Sequence, residues 1–301
     1  MRLSTSLMSA AALAIIVAHP AFAAGESGTL KKIKESGTIV LGYRDSSIPF
    51  SYLGSDQKPI GYSWEIANAV VERVKKELNM PNLEVKTNLV TSQTRIPLVQ
   101  NGTVDLECGS TTNNPERQQQ IDFSVGYFSA STRLLTRKTS GIKEFPDLKG
   151  KNVVVTAGST SERLLRAMNA EKQMSMNVIS AKDIGESFLM LESGRSAAYM
   201  VDDVLLAGEI AKSKNPDEWV VTGKPQSFEN YGCMMRKGDP EFKKVVDETI
   251  KGLFKSGEIN KIYAKWFQSP IPPKGINMRF PMSPGLKSLI AKPTDKAAEQ
   301  L

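Results

Sequence analysis

Three arginines and one aspartate lie where an alternating pattern of strands and helices sets down its turns. Arg44 belongs to Tyr43-Arg44-Asp45-Ser46-Ser47 and Arg95 ends Thr91-Ser92-Gln93-Thr94-Arg95. Arg117 follows Gly109-Ser110-Thr111-Thr112, and Asp202 opens the pair Asp202-Asp203. Guanidinium forks match carboxylates with paired hydrogen bonds, which supplies orientation as well as energy. Three arginines against one aspartate leave two positive charges, and a ligand with two carboxylates and one ammonium fits that balance. Asp202 then meets the ammonium, or else it caps a helix that begins near Val204. Another polar cluster, Thr156-Ala157-Gly158-Ser159-Thr160-Ser161-Glu162, joins a strand to a helix. A glycine and small hydroxyl residues there leave backbone N–H groups free at a helix N-terminus, a seat for an anion. The alternative is a capping box, with Ser159 or Thr160 as the cap and Glu162 nearby, that binds nothing.

Composition removes other chemistries. The one histidine, His19, falls inside residues 1–23, which read as a secretory signal: Arg2, an apolar run from Ala11 to Ala18, and Ala21-Phe22-Ala23 as the cleavage site. The exported chain then has no imidazole for a Ser-His-Asp triad, a Cys-His pair or a His-based zinc site, and neither metal nor cofactor is expected. Cys108 and Cys233 are the two cysteines. Export to an oxidising compartment predicts one structural disulfide, the alternative being two buried free thiols. The net charge of +7 comes from 39 basic and 32 acidic residues with no Lys/Arg run longer than a pair. That even spread argues against a nucleic-acid partner. No stretch after the signal approaches about 18 consecutive apolar residues, so no membrane-spanning segment is expected in the exported chain.

The positioning elements follow from periodicity. Thr38 to Tyr43 reads as a buried strand, and Trp64, Ile66, Ala67, Val70, Val71, Val74 and Leu78 recur at helical spacing until Asn79 and Pro81. Leu83 to Leu89 alternates as a strand, a short helix runs from Ile96 to Asn101-Gly102, and Val104 to Glu107 is the next strand. Asn114-Pro115-Glu116 has the form of a helix start. Further strands are expected at Thr132–Thr136, Val153–Thr156, Ala197–Met200 and Tyr231–Arg236. Helices are expected at 161–170, 185–192 and 204–212, with two more between Asp239-Pro240 and Trp266, before a Pro-rich tail from Ser269. Strands alternating with helices predict an α/β fold of mostly parallel sheets flanked by helices, with ligands at the strand ends.

These segments resemble the type II periplasmic solute-binding proteins of polar amino-acid ABC transporters, most closely the glutamate/aspartate-binding members. The specific stretches are Thr91-Ser92-Gln93-Thr94-Arg95-Ile96-Pro97 and Glu107-Cys108-Gly109-Ser110-Thr111-Thr112-Asn113-Asn114. Ile39 to Arg44, Pro49 to Tyr52, Gly61 to Ser63, Glu116 to Gln118, Tyr231 to Met234 and Asn260 to Pro273 support them. The resemblance implies two lobes joined by two crossing hinge strands: lobe one at 24–126 plus 236–270, lobe two at 131–230, hinge strands at 127–130 and 231–235, and a C-terminal extension at 271–301. Both cysteines then fall on the lobe-one side near the hinge.

The resemblance also implies roles. Arg117, with Thr112, Thr160 and the Ser159 turn, holds the ligand α-carboxylate, and Ser110 and Asp202 take the α-ammonium. Arg44, Arg95 and Ser92 take the side-chain carboxylate, while Tyr43, Phe50 and Tyr52 wall the pocket. It implies a periplasmic monomer, not an enzyme, that binds L-glutamate or L-aspartate by lobe closure and delivers it to the membrane permease of an ABC importer. Ile184 departs from the pattern, since close members carry histidine there, and this bears on the ranking of glutamate against aspartate. Two other functions fit the fold. An exported dehydratase needs a carboxylic acid of raised pKa, with Glu107 or Asp45 as candidates. A ligand-loaded partner of a chemoreceptor or sensor needs nothing more than the same pocket.

Overall fold

The computed structural model describes residues 28–298; the secretory signal expected at residues 1–23 lies outside them. A first unit runs through α1 (Thr29–Ser36), β1 (Thr38–Tyr43), β2 (Ser46–Ser47), β3 (Ser51–Leu53), β4 (Pro59–Ile60), α2 (Tyr62–Glu77), β5 (Glu84–Leu89), α3 (Arg95–Gln100), β6 (Leu106–Glu107), α4 (Pro115–Gln118) and β7 (Ile121–Phe123). A second unit opens with β8 (Phe128–Arg137). It continues through β9 (Asn152–Thr156), α5 (Thr160–Glu171), β10 (Asn177–Ala181), α6 (Ile184–Glu192), β11 (Ala198–Asp202), α7 (Asp203–Lys212), β12 (Trp219–Thr222) and β13 (Phe228–Tyr231). The chain then returns to the first sheet with β14 (Met234–Arg236) and ends in α8 (Pro240–Ser256), α9 (Glu258–Phe267) and α10 (Pro284–Ala291).

The first sheet has the order β5-β1-β6-β14-β7 and the second β10-β9-β11-β8-β12, with β13 paired to β8. Strands linked through helices run parallel: β1 with β5 and β6, and β9 with β10 and β11. The strands next to each passage between units, β14 and β8, run antiparallel to their neighbours because they arrive from the other unit. In β1, Ile39 and Leu41 are fully buried and meet Ile66, Val70 and Val74 of α2. That helix ends before Asn79, whose φ of 53° leaves the helical region just ahead of Pro81.

The expected continuous strand at Tyr231–Arg236 is divided. Tyr231 closes β13 in the second sheet and Met234 opens β14 in the first, with Gly232-Cys233 between them. A Cβ at Gly232 would meet the Ser124 carbonyl at 3.1 Å, so a close approach between the two passing chains favours glycine here. Cys233 is bonded to Cys108. The bridge ties the end of β6 to the returning chain across a separation of 125 residues.

Aromatic packing beds the passage. Phe128 and Tyr231 stack at 5.7 Å, Phe50 meets Phe128 edge-on at 4.8 Å, and the Tyr62 hydroxyl donates to the Tyr127 carbonyl at 2.9 Å. Phe50 and Tyr52 are buried in this core; Tyr52 packs on Trp266 and donates to the Pro272 carbonyl. The C-terminal tail is more ordered than its prolines suggest. Leu286 and Leu289 of α10 are buried, Ser283 Oγ donates to the Ser129 carbonyl, and Gly126 N–H donates to the Thr294 carbonyl at 2.9 Å.

Candidate functional site

Arg44, Arg95 and Arg117 are all buried, with 1%, 2% and 7% of their surfaces exposed. Local structure explains their positions. Ser51 Oγ receives the Arg44 N–H at 2.9 Å, and Arg95 opens α3. Asn114 Oδ1 receives the Arg117 N–H at 2.8 Å, with Pro115 in the first helical position as expected. Arg95 Nη1 donates to Thr111 Oγ1 and, at 3.3 Å, to the Ser110 carbonyl. Arg117 Nη1 donates to the Thr112 carbonyl at 2.9 Å and Nη2 to the Gly158 carbonyl at 3.3 Å. Arg44 Nε and Nη2 and Arg95 Nε are buried without a hydrogen-bond partner. Burial lowers all three guanidinium pKa values, Arg95 to about 9 with the charges of Arg117 and Arg44 adding to the effect. Arg95 thus stays cationic at neutral pH.

Glu107 offsets part of that charge. It is fully buried, accepts from Thr111 Oγ1 at 2.8 Å through Oε2, and leaves Oε1 unpartnered. A Cβ at Gly109 would collide with Oε1, so the carboxylate reaches this position past a glycine.

The second unit supplies the opposite charge. Asp202 ends β11 and precedes α7, but its side chain makes no capping bond; the carboxylate accepts from the Tyr231 hydroxyl and from Thr132 Oγ1 at 3.2 Å. Burial, then the neighbouring Glu229 carboxylate, push its pKa up to about 8. Glu229 is 2% exposed and was not anticipated from the sequence; Thr160 Oγ1 donates to its Oε2 at 3.3 Å. The turn at Ser159 does cap α5, since Ser159 Oγ accepts from Glu162 N–H at 3.1 Å. Capping there and an anion seat are compatible, because the N–H groups of Thr160 and Ser161 lie in the first helical turn, where intrahelical acceptors are lacking.

These groups meet at the junction of the two units. A cavity of about 20 Å³ is lined by Ser92, Arg95, Ser110 and Thr112 from the first unit and by Ser159, Thr160, Ile184 and Asp202 from the second. A larger groove of about 710 Å³ shares Ser92, Ser159 and Thr160 with it and adds Arg117, so it is the outer mouth of the same cleft. Arg44 borders neither space; its strongest electrostatic neighbours are Glu107, Asp45 and Asp183. Ser161, whose buried hydroxyl has no partner, also lines the inner cavity.

Residues 39–269 match the bacterial extracellular solute-binding proteins, family 3. The chain belongs to this family. It is 68% identical, over the full length of both chains, to the L-glutamate/L-aspartate-binding protein of Pseudomonas aeruginosa. It is 56% identical, over 99% of each chain, to the glutamate/aspartate import solute-binding protein of Salmonella typhimurium. Among solved structures, an ancestral arginine-binding protein bound to arginine superposes with a TM-score of 0.69 at 29% identity, covering 77% of this chain and 98% of that one. The two units are thus the lobes of a type II binding protein.

In this solute-binding protein, Ile184 is 3% exposed and lines the inner cavity beside Val201 and Leu205. An apolar patch on lobe two therefore faces a cavity whose lobe-one wall is polar. Asp183 caps α6 through the Glu186 N–H at 2.9 Å, which fixes the direction in which Ile184 enters the site. No helix among the described residues is long and apolar enough to cross a membrane.

Proposed function

We propose that this solute-binding protein closes its lobes on L-glutamate or L-aspartate in the periplasm and, as a monomer, presents it to the permease of an ABC importer. The observation that carries this reading is a buried arginine of lobe one, Arg95, facing a buried carboxylate of lobe two, Asp202, across one cavity, with Arg117 at its outer mouth. The names of the full-length relatives support the same ligand pair.

In this reading Arg117, Thr112, Ser159 and Thr160 hold the α-carboxylate, Ser110 and Asp202 the α-ammonium, and Arg44, Arg95 and Ser92 the distal carboxylate. The unpartnered N–H groups of Arg44 and Arg95 suit that last role. Arg44 sits behind the cavity lining, so it serves the distal carboxylate from the second rank or after a small opening. In the same reading the hinge is 127–130 and 231–235, lobe two is 131–230, and lobe one is 24–126 plus 236–270, of which 24–27 lie outside the described residues. Closure brings ligand contacts from both lobes together, so affinity and the shape offered to the permease depend on one equilibrium.

Isothermal titration of ligand-stripped protein tests it. Saturable, tight binding of L-glutamate and L-aspartate is expected, with L-glutamine bound measurably but far more weakly and L-arginine not at all at matched concentration. Preference for a neutral or basic amino acid refutes the role given to Arg44 and Arg95.

A further inference from the structure

Asp202 and Glu229 are two buried carboxylates, 4% and 2% exposed, with a hydroxyl neighbour in common. Thr132 Oγ1 lies 3.2 Å from Asp202 Oδ1 and 3.3 Å from Glu229 Oε1, and it also pairs with Ser227 Oγ at 2.8 Å. One hydroxyl carries one proton and serves only one of these acceptors at a time. Glu229 also accepts from Ser227 Oγ and, at 3.3 Å, from Thr160 Oγ1, while Asp202 accepts from the Tyr231 hydroxyl. Among the described residues neither carboxylate has a salt bridge. The charge of Arg117 acts on both, but its two Nη groups donate to the carbonyls of Thr112 and Gly158.

The remaining charged or titratable groups acting on the pair come from three elements: Asp203 on α7, Tyr231 on β13 and Tyr199 on β11. Asp203 adds a like charge, and its own carboxylate is occupied by Ser131 and by the Val204 N–H. A carboxylate buried beside a second one, with no cation hydrogen-bonded to either, favours its protonated form, and here that carboxylate is Asp202.

We propose that Glu229 is a second carboxylate behind the ammonium seat, and that ligand binding expels a proton which Asp202 holds beside it in the ligand-free protein. The inference rests on the proposed ligand class. The incoming α-ammonium brings its own positive charge, the Asp202 proton leaves to solvent, and no bond in the ligand changes. The raised pKa of Asp202 agrees with this geometry. Glu229 acts as a positioning residue: its like charge favours the proton on Asp202, and it orients Thr160, which lines the cavity.

The test is calorimetric titration of the full chain with L-glutamate in buffers of different ionisation enthalpy, from pH 6 to 9. The wild type is expected to release close to one proton per ligand at pH 6 to 7, falling toward none by pH 9. Glu229→Gln keeps the hydrogen-bonding shape; it is expected to bind with little proton release and with affinity reduced by about tenfold, and Glu229→Asp to restore most of the release. Saturable wild-type binding without proton release, a result that needs no variant to fold, overturns the seat alone. Release that is unchanged in a folded Glu229→Gln also overturns it. No saturable binding of either acidic amino acid overturns the functional reading and the seat with it.

Discussion

In or just behind the cleft, lobe one buries Arg44, Arg95 and Arg117 beside Glu107, whereas lobe two buries Asp202 and Glu229 and has no buried Lys or Arg among its described residues. A zwitterion between such walls bonds its anionic groups mainly to one lobe and its cationic group to the other. Neither lobe alone satisfies the ligand, so the charge arrangement itself couples binding to closure. Burial makes both walls costly to keep empty: it lowers the arginine pKa values on one side and raises that of Asp202 on the other.

The contrast can be broken most severely at Arg117. Arg117→Ala is expected to cost about 3–5 kcal/mol of binding for acidic and neutral amino acids alike, since it leaves a buried carboxylate unpaired. Titration against L-glutamate and L-glutamine checks this, and an effect confined to the acidic ligand refutes the assignment. Arg95→Ala sharpens the comparison within lobe one. A loss of about 2–4 kcal/mol is expected for L-glutamate and under ~1 kcal/mol for L-glutamine, because only the distal carboxylate uses that fork.

Gly208 probes closure without touching either wall. It lies in α7 of lobe two, and a Cβ there would stand 2.7 Å from the Ile48 carbonyl of the first unit. Gly208→Ala is expected to weaken every ligand equally, by about 1–3 kcal/mol, while the ligand-free protein keeps or gains thermal stability from the better helix former. A drop in ligand-free melting temperature with unchanged affinity would contradict this.

The smallest effect is a pH slope. The pKa of Asp202 is about 8 when folded against 3.8 ordinarily, so the folded chain holds that proton more tightly than the unfolded one. Its contribution to stability is present below pH ~4 and is lost as pH rises through about 8. Glu209, raised to about 7, acts in the same direction. Melting curves of ligand-free protein are expected to show stability falling across that window, with a shallower fall in Asp202→Asn; an identical slope in the variant refutes the assignment to Asp202.

The arginines and Asp202 were legible because each follows a strand whose apolar run or alternation is complete within six residues. Arg117 was marked further by Asn114-Pro115, a start signal that works through one hydrogen bond to its own N–H. Glu229 carried no such signal. Phe-Glu-Asn-Tyr is too short to show a period, and its burial comes from β8, where Glu229 pairs with Ala130 across a turn of the whole lobe. α1 escaped for a related reason: Ile33 is its one buried large apolar side chain, and its first residue is held by the distant Asp239 through the Thr29 N–H at 2.6 Å. The tail was read by its prolines, whereas Leu286 and Leu289 acquire meaning only from the passage they cover.

Local order thus settled what local order governs: the strand and helix alternation, the turns at strand ends, the capping of α5 and α4, and a surplus of arginine near three of those turns. Steric and capping forces act over a few residues, so they are written in consecutive letters. Tertiary structure decided which charges share a cavity, that Asp202 turns toward Tyr231 instead of capping α7, and that Glu107 and Glu229 are buried near these charges. Coulomb and desolvation energies act through space at a few ångströms, and residues that far apart in the fold stand dozens of positions apart in the chain.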